Sequence, residues 1–396
     1  MHLLETYALA TGSKIKKPFI IRKYFPLPFD KYITIQNSSG MAGKCYDYFQ
    51  DVIDFIFEKL EKNGYHILQI GSKEDRPLQQ TTGLQGQTNI NQTAFILNNS
   101  KLHVGNDSFS IHMCSAFDVP LIGLYSVTSP EIAGPFWKSD KQICLTPDNW
   151  RPSFNPNENP KTVNNIKIEK VVQSINKLLF NEDDIKFETL FIGDRYNDPI
   201  IECFPDQFFP EDFLKDQILN IRFDYKESIT ENDYQSTLNN LRFKKCSIIT
   251  DKPLQLEFLF QFRNQIPLII YDITKNFDIN FAKNLFGLGF KFIFLFKKDN
   301  NNDVLEQRKL DTIDFPQGIE TIEKPSLNID TNQQNLFYKS NKILFANGKA
   351  YLSKSAQEED KPITDLSKPK FQSLNDLKNI DKLIENDLNN ILIYKK

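Results

Sequence analysis

The chain has 396 residues, enough for two domains of ordinary size, and its 40% apolar and 25% charged content is that of a globular protein. A net charge of −3 excludes a global basic field for nucleic acid, so no nucleic-acid partner is expected; local basic patches stay open. No run of about eighteen apolar residues predicts a membrane span, and the scattered Cys45, Cys114, Cys144, Cys203 and Cys246 lack the spacing of a zinc site or a disulfide framework.

In residues 1–29, Leu3, Leu4, Tyr7, Ala8 and Leu9 give a short helical pattern, ended by Lys17-Pro18 and the extended Pro26-Leu27-Pro28. Met1 to Glu5 has neither the basic start nor the apolar stretch of a signal peptide, so a reducing cytoplasm is the expected location. Tyr32 to Ile35 reads as the first strand of a domain over residues 30–180. The small-residue loop Asn37 to Lys44 follows. Such a loop lets backbone approach a ligand, Ser39 offers a hydroxyl, and Lys44 supplies a point positive charge; a solvated surface loop has the same composition. Tyr48 to Leu60 has helical periodicity and closes at Asn63-Gly64. Tyr65 to Ile70 is a second strand, ending in Gly71-Ser72-Lys73-Glu74, where loops of open α/β sheets bind ligands; an ordinary surface acid explains Glu74 equally well. Ile90 to Asn98 is a short helix.

Lys101 to Tyr125 reads as strand, turn, helix, strand. Leu102, His103 and Val104 are β-prone, and Gly105-Asn106-Asp107-Ser108 is turn and cap chemistry. Ile111, Met113, Cys114 and Ala116 suggest a buried helix, followed by a strand from Val119 to Tyr125. Free amides at such a helix start suit a phosphate or diphosphate; a plain cap by Asp107 or Ser108 is the simpler alternative. His112 lies on the first turn, as a ligand contact or a turn-holding residue. Ser126 to Glu131 is a polar loop at the next strand end, Trp150 to Thr162 a Pro/Asn-rich loop, and Val163 to Phe180 an amphipathic closing helix.

The longer pattern of Leu84, Gly86, Thr88, Ile96, Ser100, Leu102, Val104-Gly105, Asp107-Ser108, His112, Pro120 and Leu124-Tyr125 resembles the donor-binding domain of glycosyltransferase family 9, the ADP-heptose:LPS heptosyltransferases of GT-B fold. The resemblance covers roughly residues 30 to 180. It implies that Asp107, Ser108 and His112 form the turn meeting the nucleotide-sugar diphosphate, with Phe109 where the family usually has glycine. It implies further that Lys44 contacts donor phosphates and that Gly71 and Glu74 lie near the nucleotide. The hydroxyls of Ser39 and Ser126 join these as donor-site candidates. The donor is then a substrate, and neither a cofactor nor a metal is expected.

Beyond Asn181 to Asp184, residues 185–396 alternate between strands (Thr189 to Ile192, Ile218 to Phe223, Cys246 to Thr250, Leu268 to Tyr271, Phe290 to Phe296, Lys342 to Phe345) and helices (Glu231 to Leu241, Pro253 to Arg263, Asn280 to Leu288). This predicts a second Rossmann-like sheet. Ser353 to Lys370 reads as extended, and Ser373 as the cap of a last helix carrying Leu374 to Ile391. The expected fold class is therefore α/β, two Rossmann-like domains, GT-B-like, with the donor-type domain first in a permuted order or facing a partner chain.

An inverting, metal-independent glycosyltransferase is the leading expectation, acting on a nucleotide-diphosphate sugar and a glycan or other hydroxyl-bearing acceptor. The family's base follows a first strand in a Gly-Asp step, which Ile192-Gly193-Asp194 matches; Asp224 and Asp272 are lesser candidates for the catalytic base. A non-catalytic nucleotide- or carbohydrate-binding protein, and a GT-B epimerase or hydrolase, stay open as alternatives, as does peripheral membrane contact.

Overall fold

A computed structural model describes residues 1–184, 186–193, 196, 200–208, 218–298, 303–315, 318–323, 335–363, 371–374 and 390–395. They fall into two compact units, Met1–Thr189 and Leu190–Lys395.

The first unit comprises α1 (Leu3–Thr11), β1 (Tyr32–Gln36), α2 (Phe49–Lys62), β2 (His66–Gln69), β3 (Thr82–Gly83), α3 (Ile90–Asn99), β4 (His103–Asn106), α4 (Phe109–Phe117), β5 (Leu121–Leu124), α5 (Pro130–Ala133), β6 (Gln142–Leu145) and α6 (Ile168–Phe180). Its six strands form a parallel sheet in the order β3-β2-β1-β4-β5-β6. The chain starts at the centre, winds out to β3, then returns to lay β4 against β1 and winds the other way. Helices cover both faces, so β1, β4 and β5 are buried along their whole length. α2 is amphipathic and turns Phe49, Val52, Ile53, Ile56 and Leu60 inward, each stabilising by roughly 1.5–3 kcal/mol relative to exposure. It packs on α6, while α3 packs on α4. Phe25, Leu27 and Phe29, from the segment before β1, pack against a core that includes Leu68, Ile96, Ile111 and Leu121. The predicted helix Val163 to Phe180 is broken: a 3-10 turn occupies Thr162–Asn165, and α6 begins at Ile168.

The second unit takes in β7 (Phe187–Ile192), whose start lies in the first, and β8 (Ile200–Cys203), β9 (Ile218–Arg222), α7 (Glu231–Phe243), β10 (Cys246–Thr250), α8 (Leu256–Gln261), β11 (Ile269–Asp272), α9 (Ile279–Gly287), β12 (Phe292–Lys298), α10 (Asp303–Leu310), β13 (Ile319–Glu323), β14 (Leu336–Ser340), β15 (Lys342–Ala346), β16 (Lys349–Tyr351), α11 (Lys354–Glu358), β17 (Gln372–Ser373) and β18 (Asn390–Lys395). Eight strands form a sheet ordered β13-β12-β11-β10-β9-β8-β15-β16, parallel except for β16. β16 returns from β15 through Asn347-Gly348, both at positive φ, the backbone of a tight hairpin. Both units are thus α/β with Rossmann-like parallel sheets.

Three expectations need correction. β7 belongs to a separate four-stranded sheet, β17-β14-β18-β7, so Gly193 does not follow a strand of the large parallel sheet; β8 is the first strand there. An apolar run states that it is a strand but not which sheet takes it. The segment from Ser353 is not extended throughout: the Ser353 hydroxyl accepts from the Ala356 amide at 3.0 Å and caps α11. The predicted last helix ends instead in strand β18, antiparallel to β14, with Leu392 and Ile393 buried. Its central part, 375–389, lies outside the described residues.

Candidate functional site at the carboxyl edge of the first sheet

The strand order of the first unit reverses between β1 and β4, whose register pairs Thr34 with His103 and Gln36 with Gly105. Loops leaving adjacent strands in opposite directions open a crevice at the strands' carboxyl ends. Here the loop after β1 meets the turn after β4. Lys44, in a 3-10 turn, places Nζ 2.5 Å from Oδ2 of Asp107; the two side chains are 13% and 5% exposed. Ser39 donates its hydroxyl to the Asp107 carbonyl at 3.3 Å. The loop after β5 joins them, because the Thr128 hydroxyl also donates to Asp107 Oδ2. Three strand-end loops therefore converge on one carboxylate.

Gly43 shows why the β1 loop needs small residues. Its amide donates to Pro156 O at 2.8 Å, and a Cβ there would stand 3.1–3.2 Å from the carbonyls of Pro156 and Asn155. The Pro/Asn-rich loop is thus packed against the Lys44 turn.

α4 starts beside Asp107. Its N-cap, Ser108, has extended backbone and makes no side-chain cap bond, so its hydroxyl takes none of the first-turn amides; the Ile111 amide donates instead to the Ser108 carbonyl at 3.2 Å. Phe109 is 41% exposed at this end. His112, one turn on, is half-buried; burial holds its imidazole below its usual pKa, Asp107 pulls the other way, and His2 and Lys44 act with burial.

The position of α4 is set from beneath, by a residue that sequence reasoning passed over. His103 is fully buried in β4. Its Nδ1 lies 3.0 Å from the Thr34 hydroxyl and its Nε2 2.8 Å from the hydroxyl of Ser110, in the first turn of α4. Ser100 extends the chain, 3.2 Å from the Thr34 hydroxyl. Gly105 makes room, since a Cβ there would come within 2.9 Å of His103 Nε2. A His two residues before a strand-end Gly, with a Ser seven residues on, was the available signal.

The β2 loop lies on the other side of β1. Gly71 has φ +153, and a Cβ would fall 2.0 Å from Asp75 Oδ2. Asp75, not Glu74, is the acid that organises this loop: it accepts from the Ser72 amide at 2.8 Å and from the Ser38 hydroxyl at 2.5 Å, tying the β2 loop to the β1 loop. Glu74 is exposed. Ser126 is 2% exposed beneath Trp150, whose indole N–H donates to the Ser126 carbonyl at 2.7 Å, so its hydroxyl is not presented to a ligand. The structure thus groups Ser39, Lys44, Asp107, Ser108, Phe109 and His112; Gly71 adjoins them through Asp75, while Glu74 and Ser126 stand apart.

In the second unit Asp194 lies outside the described residues. Asp224 is clamped by Arg222, at 2.8 Å from Nε and 2.6 Å from Nη2. Asp272 is 3% exposed. Glu202 meets Arg222 at 2.7 Å and Lys342 at 3.1 Å; burial pushes its pKa up, but the two cations outweigh it and hold the carboxyl below its usual range. Among the described residues no group of three His, Cys, Asp or Glu side chains has the arrangement of a metal site.

Residues 13–162 match the model of glycosyltransferase family 9 (heptosyltransferase). The chain is similar to lipooligosaccharide heptosyltransferase 2 of Haemophilus influenzae, 33% identical over an alignment of 103 residues, with 23% of this chain and 29% of the relative covered. It is also similar to lipopolysaccharide heptosyltransferase 3 of Escherichia coli, 25% identical over 172 residues, 38% of this chain and 47% of the relative. The chain thus spans less than half the length of these curated relatives. Among solved structures, the ADP-heptose LPS heptosyltransferase II of E. coli aligns over 46% of this chain and 52% of its own, at 19% identity and a TM-score of 0.32. A family 9 glycosyltransferase from Veillonella parvula aligns over 45% and 50%, at 20% identity and a TM-score of 0.32.

Proposed function

We propose, from a domain of glycosyltransferase family 9 type at residues 13–162, that this protein transfers a sugar from a nucleotide-diphosphate donor to a hydroxyl-bearing acceptor such as a glycan. The observation that carries the proposal is the meeting of Lys44, Ser39 and Asp107 at the start of α4, at the order reversal of a parallel sheet. Departure of the nucleotide leaves charge on its diphosphate. The α4 amides and the Lys44 ammonium are fixed before the reaction and so stabilise that charge without reorganising. Lys44 is paired to Asp107, so a bound diphosphate shares or takes over its ammonium while Asp107 keeps the hydroxyl of Thr128. Ser108, Phe109 and His112 flank the same amides.

Inversion, independence from metal, a permuted domain order and a cytoplasmic location belong to the proposal. So does Asp194 as the base that takes the acceptor proton, named on sequence grounds. Binding without turnover is the second reading, favoured by one observation: Asp224 and Glu202, acids at or near strand ends of the second unit, are held in ion pairs and are poor proton acceptors.

A thermal-shift panel of ADP, UDP, GDP and CMP sugars tests the first step. A true donor at ~100 times its Kd stabilises by roughly 2.7 kcal/mol, and Lys44→Ala removes the shift. Transfer to an acceptor then separates the two readings: Asp194→Asn keeps the shift but loses turnover if the transferase reading holds, whereas a binding protein shows no turnover in either form. No shift with any nucleotide sugar overturns both.

A further inference from the structure

Residues 6–29 contain Lys14, Lys16, Lys17, Arg22 and Lys23 and not one Asp or Glu. With the whole chain at −3, this segment of +5 leaves −8 for the rest. It is also where apolar side chains stand out from the surface. α1 buries none of its residues, Phe19 is 90% exposed, and Leu9, Ile21 and Tyr24 are each more than half exposed. The segment is fixed at both ends. His2 Nε2 lies 3.0 Å from the Gly134 carbonyl with its ring edge-on to Phe136, and the Lys23 amide donates to Asn91 O at 2.9 Å just before Phe25 and Leu27 enter the core. Between these anchors α1 stops at Gly12, in left-handed backbone, and residues 13–24 run on without secondary structure.

We propose that residues 3–24, which add Glu5 to those five cations and so carry +4, are a docking surface for an anionic lipid bilayer. Phe19, Ile21, Tyr24 and Leu9 enter the boundary between headgroups and acyl chains. The lysines lay their methylenes along it and keep their ammonium groups among the phosphates. A bilayer is a better match than a protein partner because protein interfaces are depleted in lysine, whereas four of the five cations here are lysine. Arg22 donates to Asn98 Oδ1 at 3.2 Å and the Tyr24 ring stands edge-on to Phe95, so the end of the run is held on the first unit while Phe19 and the lysines before it stay exposed. The acidic remainder of the molecule is repelled by the same lipids, so this segment sets which side faces the membrane. The inference is independent of the proposed transfer reaction.

Co-sedimentation of the full chain with vesicles tests it, using phosphatidylcholine alone or mixed with phosphatidylserine. The expected result is pelleting with the mixed vesicles only, released by raised salt. The double variant Lys16→Glu/Lys17→Glu weakens partitioning at least about tenfold, and Phe19→Ser weakens it too. All three positions are exposed, so circular dichroism and thermal midpoints match the parent protein. Equal pelleting with both vesicle types, none with either, or indifference to the variants overturns the inference. So does lipid-free self-association in sedimentation velocity that the same variants abolish, because the surface is then an interface between copies of this chain.

Discussion

His103 is neutral inside the fold: burial drives its pKa from 6.5 to about 3, against a hydrogen bond to Thr34 that acts in the opposite sense. The unfolded chain binds a proton at this residue below pH of about 6.5 and the folded chain does not, so stability falls as pH drops through that window. The expected slope from this one group is about 1.4 kcal/mol per pH unit until the folded pKa is reached. Urea unfolding measured down the window checks it. His103→Gln, which cannot titrate, flattens the slope relative to the parent; an unchanged slope would show that other groups set it. Residue identity made Lys44 and Asp107 readable as candidates in the sequence. It did not reveal that they are each other's partners, since 63 positions separate them. For the β2 loop it pointed to Glu74, one residue from the acid that does the tying, because spacing cannot say which of two adjacent carboxylates turns inward.

At the scale of elements, α4 is held by the Ser110 hydroxyl as well as by its apolar face. Ser110→Ala leaves His103 Nε2 buried without its partner and costs about 1–3 kcal/mol. It also loosens the turn whose amides are proposed to take the diphosphate. The prediction is a lower urea midpoint together with weaker donor binding; a lower midpoint with donor affinity intact would make the contact purely structural. Helices and strands with a long, clear period, such as α2, α7 and β10, were readable from the sequence to within a few residues. Short ones were not. β3 has two residues and α5 four, too few to show a period. Ile391, read as the last residue of a helix, lies instead in β18, because a short apolar run fits either element until a neighbouring strand offers it hydrogen bonds.

At the scale of the molecule, the second unit is tied together by charges far apart in the chain. Glu202, Arg222 and Lys342 come from three strands and are all nearly buried. Glu202→Gln removes the carboxylate shared by two buried cations, Arg222 keeping Asp224, and is expected to cost about 3–5 kcal/mol. It should do so without changing the nucleotide-induced shift of the first unit, which differential scanning calorimetry with and without donor would show. A loss of donor response would mean that the units are energetically coupled.

The sequence by itself determined the α/β class, the two Rossmann-like sheets and the turn at Asp107, because these rest on local period, turn chemistry and a family pattern lying within one stretch of chain. Only the tertiary structure decided which strands share a sheet, that Asp107 gathers three loops, and that His103 pins the helix beside it. Those facts depend on hydrogen bonds between residues distant in the chain, and such pairings exist only once the sheet order has brought the strand ends together.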